Sequence, residues 1–163
     1  MTCDVSAVLN NDGAELLVSG TVHVGDALGE EFSFGEDVDV SGKIVCRGNV
    51  LELSAHVEGA FQTGCARCLK TLSIPLSFDF TETLTQDSET LSDKDSVIVF
   101  SGTCIDLSEI VTGNILLNLS YKYLCDENCR GICKKCGADL NSGDCGCTDD
   151  EIDPRWEALK NFK

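Results

Sequence analysis

Six cysteines lie between Cys125 and Cys147, in the run CDENCRGICKKCGADLNSGDCGC, and another close pair, Cys65 and Cys68, stands far upstream in CARC. A chain that concentrates thiols in this way must oxidise them to disulfides, use them as a redox centre, or close them around a cation. With 163 residues, 42% of them hydrophobic, it can bury one sizeable core without disulfide staples. No stretch approaches the roughly 18 consecutive apolar residues of a membrane span. The opening MTCDVSAVLNNDG lacks the basic start and apolar centre of a secretory signal, so a cytoplasmic location is expected. In that reducing compartment an odd total of eleven cysteines, clustered at short spacings, points to metal binding rather than to disulfides.

The spacings sort the thiols. Cys133-Lys134-Lys135-Cys136-Gly137 has the form of a metal knuckle, in which amide N–H groups turn toward the first sulfur and glycine after the second cysteine relieves crowding. Cys145-Gly146-Cys147 follows closely and completes a tetrahedral four-thiolate set, the donor pattern of a structural zinc. Cys65, Cys68, Cys125 and Cys129 remain as a second four, so two zinc ions are expected. A rival pairing joins Cys125, Cys129, Cys133 and Cys136 and leaves Cys65 and Cys68 for redox work. The first pairing is preferred because it partners every short-spaced pair. Four thiolates also suit iron. Cys3, Cys46 and Cys104 are isolated and stay outside the sites; Cys46 has the parity of a strand core.

Alternation dominates the first half. Val38, Val40, Ile44 and Cys46 share one parity, Arg47-Gly48-Asn49 offers a turn, and Leu51, Leu53, Ala55, Val57 and Phe61 share one parity in the return run. The period recurs at Leu72, Ile74, Leu76, Phe78 and Phe80, where Pro75 on the polar parity predicts an edge strand. Shorter strands are expected at Val5–Leu9, Ala14–Val24 and Glu31–Phe34. Asp106 as N-cap, with Glu109 three residues on, opens a helical segment through Leu119. Asp153-Pro154 predicts a short terminal helix. The expectation is a mainly β, α+β chain: an antiparallel meander forming a curled sheet or sandwich, one central helix, a cysteine-rich zinc ribbon and a C-terminal helix. Its divisions are a β domain at 1–84 with the Cys65/Cys68 knuckle, an acidic mobile loop at 85–96, a strand and helix completing the core at 97–124, and the zinc module at 125–163.

Charge restricts the partners. Twelve Lys and Arg against twenty-eight Asp and Glu give −16, which opposes non-specific nucleic-acid binding. Half of the basic residues, Arg67, Lys70, Lys122, Arg130, Lys134 and Lys135, lie within or beside the cysteine clusters. Arg67, Lys70, Arg130, Lys134 and Lys135 are therefore the candidate contacts to phosphate, or else counter-charges to the thiolates. An acidic body equally suits a basic protein partner. The two histidines, His23 and His56, stand in no recognisable catalytic constellation, all-cysteine zinc sites are closed to substrate, and the strand after Cys68 is the wrong setting for a thioredoxin-like thiol. No enzyme is expected, and no small-molecule substrate.

Taken together, C-x-R-C-L at Cys65–Leu69, I-D-L at Ile105–Leu107, C-D-E-x-C-x-G-I-C-x-x-C-G-x-x-L-N at Cys125–Asn141, C-x-C at Cys145–Cys147 and D-P-R-W at Asp153–Trp156 resemble the bacterial YceD family. That resemblance implies a ribosome-biogenesis factor connected with accumulation of large-subunit ribosomal RNA, acting as a binding module on that RNA's precursor or on a basic large-subunit ribosomal protein. It implies no known reaction. A redox-sensing zinc-thiolate protein is the alternative.

Overall fold

The computed structural model describes residues 1–25, 31–48, 50–86 and 97–147. In chain order the elements are β1 (Thr2–Asp4), β2 (Glu15–Val22), β3 (Val38–Arg47), β4 (Val50–Gly64), β5 (Thr71–Thr85), β6 (Val97–Val99), β7 (Cys104–Asp106) and α1 (Leu107–Asn118). The chain is mainly β with one helix among the described residues, and it divides into two compact units. Unit 1 is Met1–Thr63 with Thr71–Tyr121; unit 2 is Gly64–Lys70 with Lys122–Lys163.

Unit 1 holds an open five-stranded sheet in the order β2-β3-β4-β5-β6. The β3–β4 hairpin is the one the alternation predicts, closing with Arg47 opposite Val50 across a turn in which Gly48 takes φ 64°. Opposite residues share a face in an antiparallel pair, so Val40 meets Val57, Ile44 meets Leu53 and Cys46 meets Leu51, all of them buried. Side-chain pairs Ser54–Thr81 and His56–Asp79 run in opposite directions along β4 and β5, which sets those strands antiparallel. Phe61 closes the core between Phe32 and Phe34, with ring centroids 5.7 and 5.6 Å away.

Three expectations change. The sheet is mixed rather than a pure meander, because β6 pairs parallel with Thr83–Thr85 at the end of β5. That short pairing leaves Thr71–Glu82 without a named strand on the β6 side among the described residues, the edge that Pro75 requires. Val5–Leu9 is not a strand. Val8 and Leu9 both donate to the Val5 carbonyl, and Val5 and Val8 are buried at a spacing of three, so a helical turn and not the strand period satisfies this segment. Glu31–Phe34 contributes a single bridge, Ser33 to Gln62, since its neighbours do not continue the ladder. Strand β1 pairs instead with β7 in a separate two-stranded sheet.

Asp106 caps α1 as its spacing predicts, accepting the Ser108 N–H at 2.9 Å, and Leu107, Ile110, Val111 and Ile115 form the buried stripe. The expected C-terminal helix and most of the acidic 85–96 segment lie outside the described residues. No helix among the described residues is long and apolar enough to cross a membrane.

Gly42 faces Ala55 in the middle of the hairpin, where a Cβ would lie 2.3 Å from the Ser54 carbonyl oxygen and 2.8 Å from the Ala55 Cβ. Gly42→Ala is therefore expected to destabilise unit 1 by about 1–3 kcal/mol or more, read as a lowered urea midpoint. An unchanged midpoint would show that the strands separate there without penalty.

Candidate metal centres

Among its described residues, unit 2 buries very little apolar surface. Its only buried hydrophobic residues among those described are Cys65 and Cys129. What it has is sulfur. Cys65, Cys68, Cys125 and Cys129 form one group and Cys133, Cys136, Cys145 and Cys147 another, and within each group all four sulfurs lie within 4.8 Å of one another. The structure thus assembles the two fours that use every short-spaced pair, and not the rival set. Around a zinc with four Zn–S bonds of about 2.3 Å, sulfurs stand about 3.8 Å apart; Cys65 and Cys129 are 3.9 Å apart and Cys68 and Cys125 3.6 Å. Both groups can hold a metal ion.

Each group is founded on a knuckle, and the two knuckles are built alike. In the first, the Leu69 N–H donates to the Cys65 carbonyl (2.9 Å) and the Cys65 N–H to the Lys70 carbonyl (2.8 Å). In the second, Gly137 and Cys133 donate to the Cys133 and Ala138 carbonyls, each at 2.8 Å. The turn needs a left-handed residue after the second cysteine. Gly137 supplies it at φ 74°, but in the first knuckle Leu69 takes φ 61° and leaves its side chain 69% exposed. The glycine in the downstream motif signals this conformation; the upstream motif carries no such signal.

Amide N–H groups converge on the leading sulfur of each knuckle. The Cys125 and Cys68 amides hold the Cys65 thiol down to about 6, with the Cys125 N–H 3.4 Å from the sulfur. The Cys136 and Lys135 amides hold Cys133 down to about 6 in the same way. Partners in each group go the other way: Cys125 is pushed up to about 12, first by Cys129 and then by Cys68, and Cys147 to about 12 by Cys136 and Cys145. Four thiols this close cannot all ionise against one another, whereas a bound divalent cation reverses that repulsion and takes all four as thiolates.

The two segments of the first group also meet through Arg67. Its Nη1 donates to the Glu127 carbonyl (3.0 Å) and the Cys129 carbonyl (2.8 Å), while its own carbonyl accepts the Ile132 N–H at 3.2 Å. Gly131 makes this approach possible: it has φ 75°, and a Cβ there would lie 2.9 Å from the Arg67 carbonyl oxygen. The Ala66 N–H donates to the Tyr123 carbonyl at 2.9 Å, adding another link. Of the other basic candidates, Arg130 is paired with Asp144, and Lys70, Lys134 and Lys135 are exposed.

Family comparison bears on these same residues. A family model described as "Large ribosomal RNA subunit accumulation protein YceD" matches residues 53–163, which contain all eight clustered cysteines. The chain belongs to the YceD family. It is 29% identical over 175 aligned residues to an uncharacterized protein of Mycobacterium tuberculosis (strain ATCC 25618 / H37Rv), across 98% of this chain and 79% of that one. It is 24% identical to the chloroplastic "Large ribosomal RNA subunit accumulation protein YCED homolog 1" of Arabidopsis thaliana, across 82% of this chain and 51% of that protein. No solved structure matches the chain.

Outside the cysteines, one arrangement was not visible in the sequence. His56 Nδ1 lies 2.8 Å from Asp79 Oδ1 and its Nε2 lies 3.5 Å from Ser77 Oγ, on the outer face of β4 and β5. The order imitates a Ser-His-Asp triad, but a triad's aspartate is buried so that it can orient and stabilise the imidazole. Asp79 is 84% exposed here, and the Ser77 contact is long.

The close approach at Gly131 yields a prediction. Gly131→Ala should separate the two segments of the first group at a cost of about 1–3 kcal/mol. Amide hydrogen exchange should then accelerate at residues 64–70 and 122–132 while the β3–β4 hairpin keeps its protection. Unaltered exchange at both segments would mean that the approach is not limiting.

Proposed function

We propose that this YceD-family chain is a two-zinc binding module in assembly of the large ribosomal subunit, with no reaction of its own. The observation that carries the metal reading is the composition of unit 2: two groups of four sulfurs, those of each group within 4.8 Å of one another, in a unit whose other described hydrophobic residues are at most half-buried. A small module without an apolar core folds on its ions, and four thiolates close the coordination sphere against substrate. In this reading Cys65, Cys68, Cys125 and Cys129 hold one zinc and Cys133, Cys136, Cys145 and Cys147 the other. The zinc ions supply cross-linking and nothing catalytic. The family description supports the connection with large-subunit ribosomal RNA.

Charge distribution favours a basic large-subunit ribosomal protein as the direct partner. Unit 1 carries three Lys and Arg against nineteen Asp and Glu, so the whole formal −16 belongs to it, whereas unit 2 carries nine of each. Loading two zinc ions into eight thiolates makes unit 2 negative as well. Arg67 and Arg130 are engaged within unit 2, which weakens the case for a cationic face toward RNA. On β3 and β4 the exposed carboxylates of Asp39 and Glu58 stand directly opposite each other, an arrangement unfavourable for the sheet alone and relieved by a cationic partner.

Protein purified without chelator is expected to hold two zinc ions per chain by elemental analysis. Cys68→Ser and Cys136→Ser should each leave one, and a wild-type value below two refutes the pairing. For the partner, Asp39→Lys with Glu58→Lys should weaken co-sedimentation with immature large subunits and reduce its salt dependence. Lys70→Ser, Lys134→Ser and Lys135→Ser together should leave it near wild type. The opposite pattern would make ribosomal RNA the partner, and a chain that sediments free throughout would refute the assembly role.

A further inference from the structure

The two cysteine groups are linked by a residue that ligates in neither. Asn141 belongs to the loop of the second group, between Cys136 and Cys145, yet its side chain reaches the first. Its Oδ1 accepts the Arg130 N–H at 2.7 Å, and its Nδ2 lies 3.5 Å from the sulfur of Cys129 and donates to Asp139 Oδ1 at 2.6 Å. These partners settle the orientation of the amide: a flip would set NH2 against the Arg130 N–H and an oxygen against the Asp139 carboxylate. One amide hydrogen is thus engaged by Asp139, and the other is directed at the sulfur.

The backbone holds this loop against the first group. The Leu140 N–H donates to the Gly131 carbonyl (2.9 Å), Ile132 and Asp139 form an isolated bridge, and the Asn141 N–H is held by Asp139 Oδ1 (2.9 Å). The stretch that supplies Asn141 is itself closed at its start by the second knuckle and at its end by Cys145 and Cys147. Apolar burial contributes little among these residues, since Leu140 is only half-buried and its neighbours from Lys134 to Asp144 are exposed.

We infer that Asn141 is a positioning residue for the first metal centre, so that occupation of the Cys133/Cys136/Cys145/Cys147 group strengthens the hold of the Cys65/Cys68/Cys125/Cys129 group on its ion. An N–H directed at a metal thiolate stabilises its negative charge and fixes its orientation, and loss of such an outer contact typically weakens metal retention by about 10- to 100-fold. Coupling of this kind is reciprocal, so an occupied first centre also favours closure of the second. The inference rests on the zinc reading of the two groups.

The test uses the full chain, loaded with zinc and challenged with excess chelator, with release followed for each ion. In the wild type both ions are retained. Asn141→Ala should still bind two, but one should leave at least about tenfold faster. With Cys136→Ser emptying the second group, the ion in the first should already leave fast, and adding Asn141→Ala should change little. With Cys68→Ser emptying the first, Asn141→Ala should leave release from the second group unchanged. Asn141→Asp keeps the acceptor for the Arg130 N–H and removes the donor to sulfur, so it serves if the alanine variant fails to fold. In the cobalt-substituted protein it should move the sulfur-to-metal charge-transfer band to lower energy, a shift that loop damage alone would not produce. Two zinc ions whose release ignores Asn141, or faster release from the second group when Asn141→Ala is added to Cys68→Ser, would overturn this inference alone. A wild-type chain that takes up no zinc would overturn the metal reading and this inference with it.

Discussion

The close approach of Cys65 and Cys68 to Cys125 and Cys129 is the constraint on which unit 2 depends. These cysteines come from segments separated in sequence by β5, β6, β7 and α1, and bringing distant segments together costs chain entropy that local turns cannot recover. In unit 1 such costs are offset by apolar burial: Ile44, Leu51, Leu53, Val57 and Phe61 are all fully or almost fully covered. The described residues of unit 2 include no comparable set. Among those residues the contacts are hydrogen bonds, the Gly131 approach, an ion pair and the sulfurs themselves, and of these the sulfurs can gain a large free energy by binding an ion.

Much of this was legible in the primary structure, for a physical reason. Ligands of a small metal centre are local pairs with strict spacing, so Cys133/Cys136 and Cys145/Cys147 could be grouped by position alone, and partnering the remaining short-spaced pairs led to the assembly observed. The β3–β4 hairpin was equally clear, because a half-buried strand alternates with period two. Less legible were features decided by tertiary context. The parallel β5–β6 pairing depends on where the chain returns after residue 96, and Val5–Leu9 is apolar enough for either a strand or a turn. Leu69 adopts a left-handed backbone that its residue type disfavours; only the hydrogen-bond pattern shared with the Gly137 knuckle accounts for it. Asn141 is an ordinary polar residue until its loop is placed beside Cys129.

The concentration of negative charge in unit 1 gives the molecule a division of labour that the total of −16 conceals. In the function proposed above, long-range attraction to a cationic protein belongs to the acidic unit 1, and local shape to the formally neutral, sulfur-rich unit 2. Basic residues near the cysteines then have a nearer purpose. Arg67 ties carbonyls together beside a buried sulfur, and Arg130 faces Asp144, so both arginines of the motifs are used within the unit.

The central claim is that two all-sulfur centres hold unit 2 together, and X-ray absorption at the zinc edge tests it most directly. Protein purified without added metal or chelator should show a single shell of four sulfur atoms at about 2.3 Å, with no nitrogen or oxygen neighbours. Absence of zinc, or a shell containing light-atom ligands, would contradict the account.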